Sequence, residues 1–263
     1  MDARQNAALL LQWQIDAGAD EAIGDAPIDR MRVLEKREAI APAFILPIAP
    51  ALKEAAPAAH VISAVEEAQA AAAAAQSIDD LRVALETFQG LSLRRTATQT
   101  VFSDGNPSSS VMLVGDVPGA DEDRAGRPFA GEAGLLLDRM LAAINLSRDD
   151  GAYITTIINW RPPGGREPSE GEVAASLPFT RRHIELIKPK VLVLVGGFAA
   201  KALLKTTRNV TALRGKWHEY SSEGLAAPIP TMALFHPEYL IGSPSEKALA
   251  WQDLLMLKAK LDN

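Results

Sequence analysis

The 263 residues, 48% hydrophobic and 23% charged, suffice for a sizeable core plus an appendage, in the balance of an ordinary globular protein. The chain holds no cysteine, which excludes disulfides, thiolate nucleophiles and cysteine-ligated zinc or iron–sulfur centres. The net charge of −6 argues against a nucleic-acid partner, yet residues 1–80 hold 13 acids and 6 bases while residues 81–263 hold 20 and 21, so the larger part can still carry a basic face.

No apolar run approaches the roughly 18 to 20 residues of a membrane span, and the start "MDARQNAALLLQWQID" lacks the basic opening and small-residue cleavage site of a signal peptide. A cytoplasmic protein is expected. Residues 6–17 have helical spacing and stop at Gly18. Pro42, Pro47, Pro50 and Pro57 interrupt residues 39–60, which reads as a linker or draped arm. The run "EEAQAAAAAAQ" is helical by propensity. In "SIDDLRVALETFQG" Ser77 is the expected N-cap, Leu81, Leu85 and Phe88 share a face, and Gly90 is the stop.

From residue 110 apolar runs alternate with helical stretches. Strands are expected at 111–115, 153–158, 191–196 and 231–235, and helices at 132–145, 170–187, 197–205 and 245–260. Nearly continuous Val, Ile and Leu means strands buried on both faces. The expected fold class is α/β, a three-layer α/β/α sandwich around a central, mainly parallel four-stranded sheet over residues 77–263, with 1–76 as an N-terminal helix plus an Ala/Pro-rich arm or linker.

Ligands of such sheets bind outside the carboxyl ends of the strands. The loops there read "GDVPGADED", "NWRPPGGR", "GGFAAK" and "HPEYLIGSP". None is a Walker or G-x-G-x-x-G sequence, so nucleotide phosphate is disfavoured. Asp116, Asp121, Glu122 and Asp123 leave two readings open: a site for a hard cation such as magnesium, or surface acids capping the next helix.

The stretch "GDVPGADEDRAGRPFAGEAG" resembles the first motif of the family 4 uracil-DNA glycosylases, "WRPPGGR" their R-P-P-G-N-R segment and "HPEYL" their H-P-S-Y-L motif. The order is the same, and the resemblance spans residues 88–260. It implies a monofunctional enzyme of base excision repair that flips uracil out of DNA and hydrolyses its N-glycosidic bond, giving free uracil and an abasic site. The implied partner is uracil-containing DNA, single- or double-stranded; a nucleoid-associated bacterial monomer is expected, with no membrane partner. Phe129 matches the stacking ring, with Val117 beside it. His236 matches the donor to a uracil oxygen. Asp116, where the family commonly has Glu, and Glu122 match carboxylates that favour a cationic sugar and direct a water. Asp123 is expected as a helix or loop cap.

Thr156 stands where the family has an Asn that reads the uracil edge, and Asn159, three residues on, is the alternative. Arg94, Arg95, Arg161, Arg166, Arg181, Arg182, Arg214 and Lys216 are candidates for phosphate contact. Leu240 or Ile241 is the candidate wedge into the duplex, followed by Gly242 where the family often has Arg. The family typically holds a 4Fe-4S cluster on four cysteines, whose matched positions here are Phe88, Leu91, Trp160 and Ser176. These cannot ligate iron, so packing is expected in its place and no cofactor or metal. Two alternatives remain at this stage: a non-catalytic lesion-binding member, and a metal-dependent nucleotide hydrolase using the acidic loop.

Overall fold

The structure, a computed structural model, describes residues 57–262. The helical stretch expected over residues 6–17 and the greater part of the proline-interrupted stretch at 39–60 lie outside the described residues.

In chain order, α1 (Pro57–Ala74), α2 (Ile78–Thr87) and α3 (Leu93–Thr96) precede β1 (Ser103–Gly105) and β2 (Val111–Gly115). Then come α4 (Ala120–Ala125), α5 (Gly131–Ala142), β3 (Ala152–Thr156), α6 (Glu170–Ile187) and β4 (Val191–Val195). They are followed by α7 (Gly197–Leu204), α8 (Val210–Leu213), β5 (Trp217–Tyr220), β6 (Ile229–Leu234), α9 (Pro237–Gly242) and α10 (Lys247–Leu261).

The sheet has six strands in the order β1-β3-β2-β4-β6-β5. The expected strands form its parallel centre, β3-β2-β4-β6, and antiparallel β1 and β5 extend it at the two edges. The edge strands "SDG" and "WHEY" are short and mostly half-buried, so they carry no apolar run by which a sequence would announce them.

The central strands are buried nearly throughout because period-two alternation sends their residues to two cores. Val111, Leu113, Val191, Val193, Met232 and Leu234 face Leu137 and Leu141 of α5 and Leu254 and Leu257 of α10. Met112, Val114, Leu192, Leu194 and Ala233 face Leu81 and Leu85 of α2, Phe179 and Ile184 of α6, and Leu203 of α7. Each fully buried aliphatic or aromatic side chain contributes about 1.5–3 kcal/mol.

At the start of α2, the Ser77 Oγ accepts the Asp80 amide hydrogen at 3.1 Å and the Asp80 carboxylate accepts that of Ser77 at 3.0 Å, a reciprocal cap. Helix α1 packs along α6, where Arg182 donates from Nε and Nη2 to the Ala75 carbonyl at 3.0 and 2.8 Å. Hence α1 and the elements after residue 77 form one compact unit. No helix among the described residues is long and apolar enough to cross a membrane.

Candidate active site

A cavity of about 390 Å³ opens at the carboxyl ends of the parallel strands. Thr156 ends β3 opposite Gly115, which ends β2, and Asp116 and Val117 follow at once. His236 stands two residues beyond β6 as the N-cap of α9. Phe129 comes from the link between α4 and α5, with φ +50°, a left-handed conformation unusual for an aromatic residue. A Cβ at Gly115 would sit 2.6 Å from the Phe129 ring, so only glycine lets the ring lie over the end of β2. The same ring stacks on the His236 imidazole, centroids 5.3 Å apart and planes 29° from parallel.

The hydrogen bonds of these side chains define their chemistry. His236 Nδ1 accepts the Glu238 amide hydrogen at 3.3 Å, which assigns the proton of the neutral ring to Nε2. Burial holds His236 below its ordinary value, against the opposing charges of Asp116, Glu238 and Glu122. The ring is therefore a neutral donor at the cavity wall. Asp116 accepts the amide hydrogens of Gly197 at 3.0 Å and Ala199 at 2.7 Å, at the N-terminus of α7. Burial pushes its carboxyl up, and the Ala199 amide and His236 oppose that shift. Thr156 is 4% exposed and its Oγ1 has no hydrogen-bond partner, although it borders the cavity. A buried hydroxyl in that state is ready for a ligand.

The acidic loop divides its carboxylates. Glu122 accepts the Gly119 amide hydrogen at 2.9 Å and Asp121 pairs with Arg124 at 2.9 Å. Asp123, 6% exposed, accepts from the Thr98 amide at 2.8 Å and hydroxyl at 2.9 Å, which makes it the loop cap expected of it. With Asp116 turned to α7, these groups converge on no common point. Among the described residues no group of three or more His, Asp or Glu could hold a metal ion. Glu122 alone caps the next helix, α4, while Asp116, Asp121 and Asp123 have other partners.

The sequence signature of the uracil DNA glycosylase superfamily matches residues 102–255. The chain belongs to the uracil-DNA glycosylase superfamily. It is 36% identical over 168 residues to the type-4 uracil-DNA glycosylase of Archaeoglobus fulgidus, covering 63% of this chain and 84% of that protein. The type-4 enzyme of Sulfurisphaera tokodaii is 36% identical over 149 residues, 53% of this chain and 68% of its own. For that of Thermotoga maritima the figures are 35% over 156 residues, 59% and 78%.

Around the cavity the superfamily fold gathers Asp116, Val117, Glu122, Phe129, Thr156, His236 and Ile241. Asn159 is not with them. Its Nδ2 donates to the Val101 carbonyl at 2.9 Å and its own carbonyl accepts the Val101 amide hydrogen at 2.8 Å, so it ties two chain segments together away from the cavity lining. Leu240 corrects the wedge expectation: it is 1% exposed and belongs to the core. Pro237 starts α9 immediately after His236, and helical rotation then turns residue 240 inward. Tyr239, 47% exposed, stands outside, and the Pro in "HPEYL" was the signal that could have found it.

Next to the cavity runs a wider groove of about 610 Å³, bordered by Arg161, Arg166, Phe198 and Tyr239. Arg161 Nε is buried there with no partner. Arg166 is committed, as its two terminal nitrogens donate to the Glu172 carboxylate at 2.8 and 2.6 Å. Arg94, on α3, borders neither hollow. Arg214 is held by Asp253 at 2.8 Å and by the Leu249 carbonyl at 2.7 Å, and Arg182 by Ala75 and Glu185. Both have structural partners in place of phosphates.

At the positions matched to cluster cysteines, Phe88, Leu91, Trp160 and Ser176 are 6%, 5%, 1% and 0% exposed. Phe88, Leu91 and Trp160 share one core with Phe179, whose ring centroid lies 5.2 Å from that of Phe88. Trp160 Nε1 donates to Thr100 Oγ1 at 3.2 Å. An indole, a phenyl ring and a leucine offer no ligand to iron, and the Ser176 hydroxyl alone is a poor one. The residues present do not fit a thiolate-held cluster; they fill its place with apolar contacts.

Proposed function

We propose that this chain is a monofunctional uracil-DNA glycosylase of base excision repair; the relatives it resembles are named type-4 uracil-DNA glycosylases. It takes a uracil swung out of single- or double-stranded DNA and hydrolyses its N-glycosidic bond, leaving free uracil and an abasic site. The observation that carries this reading is the meeting of Phe129, the neutral His236 donor and the unpartnered Thr156 hydroxyl at one cavity. An uncharged, flat, hydrogen-bonding ligand suits that set. The residues assigned to catalysis lie within 77–263, and the protein acts as a cytoplasmic, nucleoid-associated monomer.

Uracil stacks on Phe129 beside Val117, and the Thr156 hydroxyl bonds its edge. As the bond between sugar and base breaks, its electron pair leaves with the base, and His236 Nε2–H stabilises the charge growing on a uracil oxygen. Asp116 and Glu122 supply negative charge beside the cationic sugar and direct a water to the anomeric carbon. The water oxygen forms the new bond and loses a proton, for which the half-buried Asp116 carboxylate is the acceptor. Arg161 meets a backbone phosphate in the adjoining groove, with Ile241 or Tyr239 against the opened stack.

One observation favours a second reading, a non-catalytic lesion binder: both Asp116 oxygens already accept amide hydrogens, which weakens a carboxylate as a base. The test is release of uracil from a uracil-containing oligonucleotide in EDTA, by wild type beside Phe129→Ala and His236→Ala. Turnover present in the wild type and lowered in both variants supports the glycosylase. Affinity without alkali-sensitive product in the wild type would establish the binder instead.

A further inference from the structure

Arg148 lies in the turn between α5 and β3, outside the cavity, and spends its guanidinium on the loop that carries Phe129. Nη1 donates to the Pro128 carbonyl at 2.8 Å and Nη2 to the Phe129 carbonyl at 2.7 Å. Nε donates to Asp138 at 2.7 Å and Nη1 also to Asp104 at 2.8 Å. The side chain is only 13% exposed, so these contacts are largely shielded from water.

The segment it grips is one that would not hold its shape alone. Phe129 has φ +50°, a conformation that persists in a bulky residue only where its surroundings over-determine it. Behind the Phe129 carbonyl stands Gly134, where any Cβ would collide with that oxygen. Glycine admits the carbonyl into the first turn of α5, and Arg148 pins it there. Consecutive carbonyls gripped by one planar fork fix both the tilt and the rotation of the peptide between them. The direction of the Phe129 side chain follows from that peptide.

We propose that Arg148 is a positioning residue for base recognition: it clamps the Pro128 and Phe129 carbonyls so that the Phe129 ring keeps its contacts with Gly115 and His236 and its place at the cavity where the base stacks. This rests on the reading of Phe129 as the stacking platform. It differs from a purely structural role, which the pairs with Asp104 and Asp138 would also provide. Lysine separates the two. Its compact ammonium retains the charge between the two carboxylates but cannot span two carbonyls as the guanidinium fork does.

The experiment measures kcat/KM for uracil release and inhibition by free uracil, with thermal midpoints, for wild type, Arg148→Lys and Arg148→Ala. Each is compared in the wild-type and the Phe129→Ala background. Positioning predicts that both Arg148 variants lower kcat/KM and weaken uracil inhibition on the order of tenfold while Phe129 is present, the scale of losing one base–aromatic stack. In the Phe129→Ala background neither change should then matter, because no ring remains to be placed. An equal penalty in both backgrounds overturns the inference, as does an Arg148→Lys variant with wild-type kinetics. Should Arg148→Ala not fold, the lysine variant carries the comparison by itself. A wild type that releases no uracil defeats the glycosylase reading, and this inference with it, whereas an active wild type with additive penalties defeats this inference alone.

Discussion

The His236 imidazole stacks on the Phe129 ring at a centroid distance of 5.3 Å, so the residue assigned to charge stabilisation and the residue assigned to base stacking support each other directly. Burial holds the imidazole below its ordinary value of 6.5, and the neutral Nε2–H form survives as pH falls past that point. Uracil release is expected to stay level from neutral pH down through 6.5 and to decline only in more acidic solution, where a second proton enters. Protonation there also favours the unfolded chain, since the depressed group binds its proton more tightly once exposed. His236→Ala should reduce the single-turnover rate by about 10²- to 10³-fold and abolish this acidic limb. An optimum that rises on acidification would show the imidazolium to be the working form.

Thr156 offers a prediction of opposite signs for stability and activity. Its Oγ1 is buried without a partner, so Thr156→Val removes an unsatisfied group and should leave the denaturant midpoint unchanged or slightly raised. The same change should lower kcat/KM by about 1–2 kcal/mol, roughly 5- to 30-fold, by removing the bond to the base edge. Thr156→Asn, which restores a paired donor and acceptor, should raise kcat/KM above that of wild type. Equal kinetics for all three proteins would remove Thr156 from recognition.

Two neighbouring arginines should behave differently on DNA. Arg161 borders the groove with a buried, unpartnered Nε, and Arg161→Ala should weaken oligonucleotide binding and reduce the slope of log affinity against log salt by about 1. Arg166 is already paired with Glu172, so Arg166→Ala should alter that slope far less. Binding measured across a salt series distinguishes them, and identical slopes for the two variants would contradict the assignment.

Trp160 and Phe88 occupy positions that the family resemblance matches to metal-binding cysteines. Trp160 is 1% exposed, and Trp160→Ala should cost about 3–5 kcal/mol in an unfolding titration, as for other large-to-small changes in a core. Addition of iron and sulfide should not restore the loss. A variant unfolding at the wild-type midpoint would mean that the apolar cluster is not what joins these segments.

Much of the architecture was legible because it was written in local patterns. Val111–Gly115 and Val191–Val195 are unbroken apolar runs, and the loops after the central strands carry motifs of fixed spacing. The features that escaped are contacts between distant residues. The Asn159 amide is held by the Val101 carbonyl, 58 residues away, a bond that no local pattern announces. Nothing near Asp116 indicates that its acceptor bonds come from amides 81 and 83 positions later. Arg148 reaches back 19 and 20 residues to two carbonyls, and backbone acceptors leave no mark on composition. Of the two wedge candidates that the resemblance implies, Leu240 is turned into the core because Pro237 starts a helix there.

The bonds from Asp116 to the Gly197 and Ala199 amides join the turn after β2 to the start of α7, while β2 and β4 are themselves hydrogen-bonded neighbours. Floor and wall are therefore one stiff assembly before any ligand arrives. Little ordering of the protein is left to oppose binding, so the free-energy barrier to occupancy lies in extracting the ligand from its own stack and hydration. Rate differences among substrates should then track how loosely each base is held where it starts, with opposite-strand mismatches and frayed ends served first.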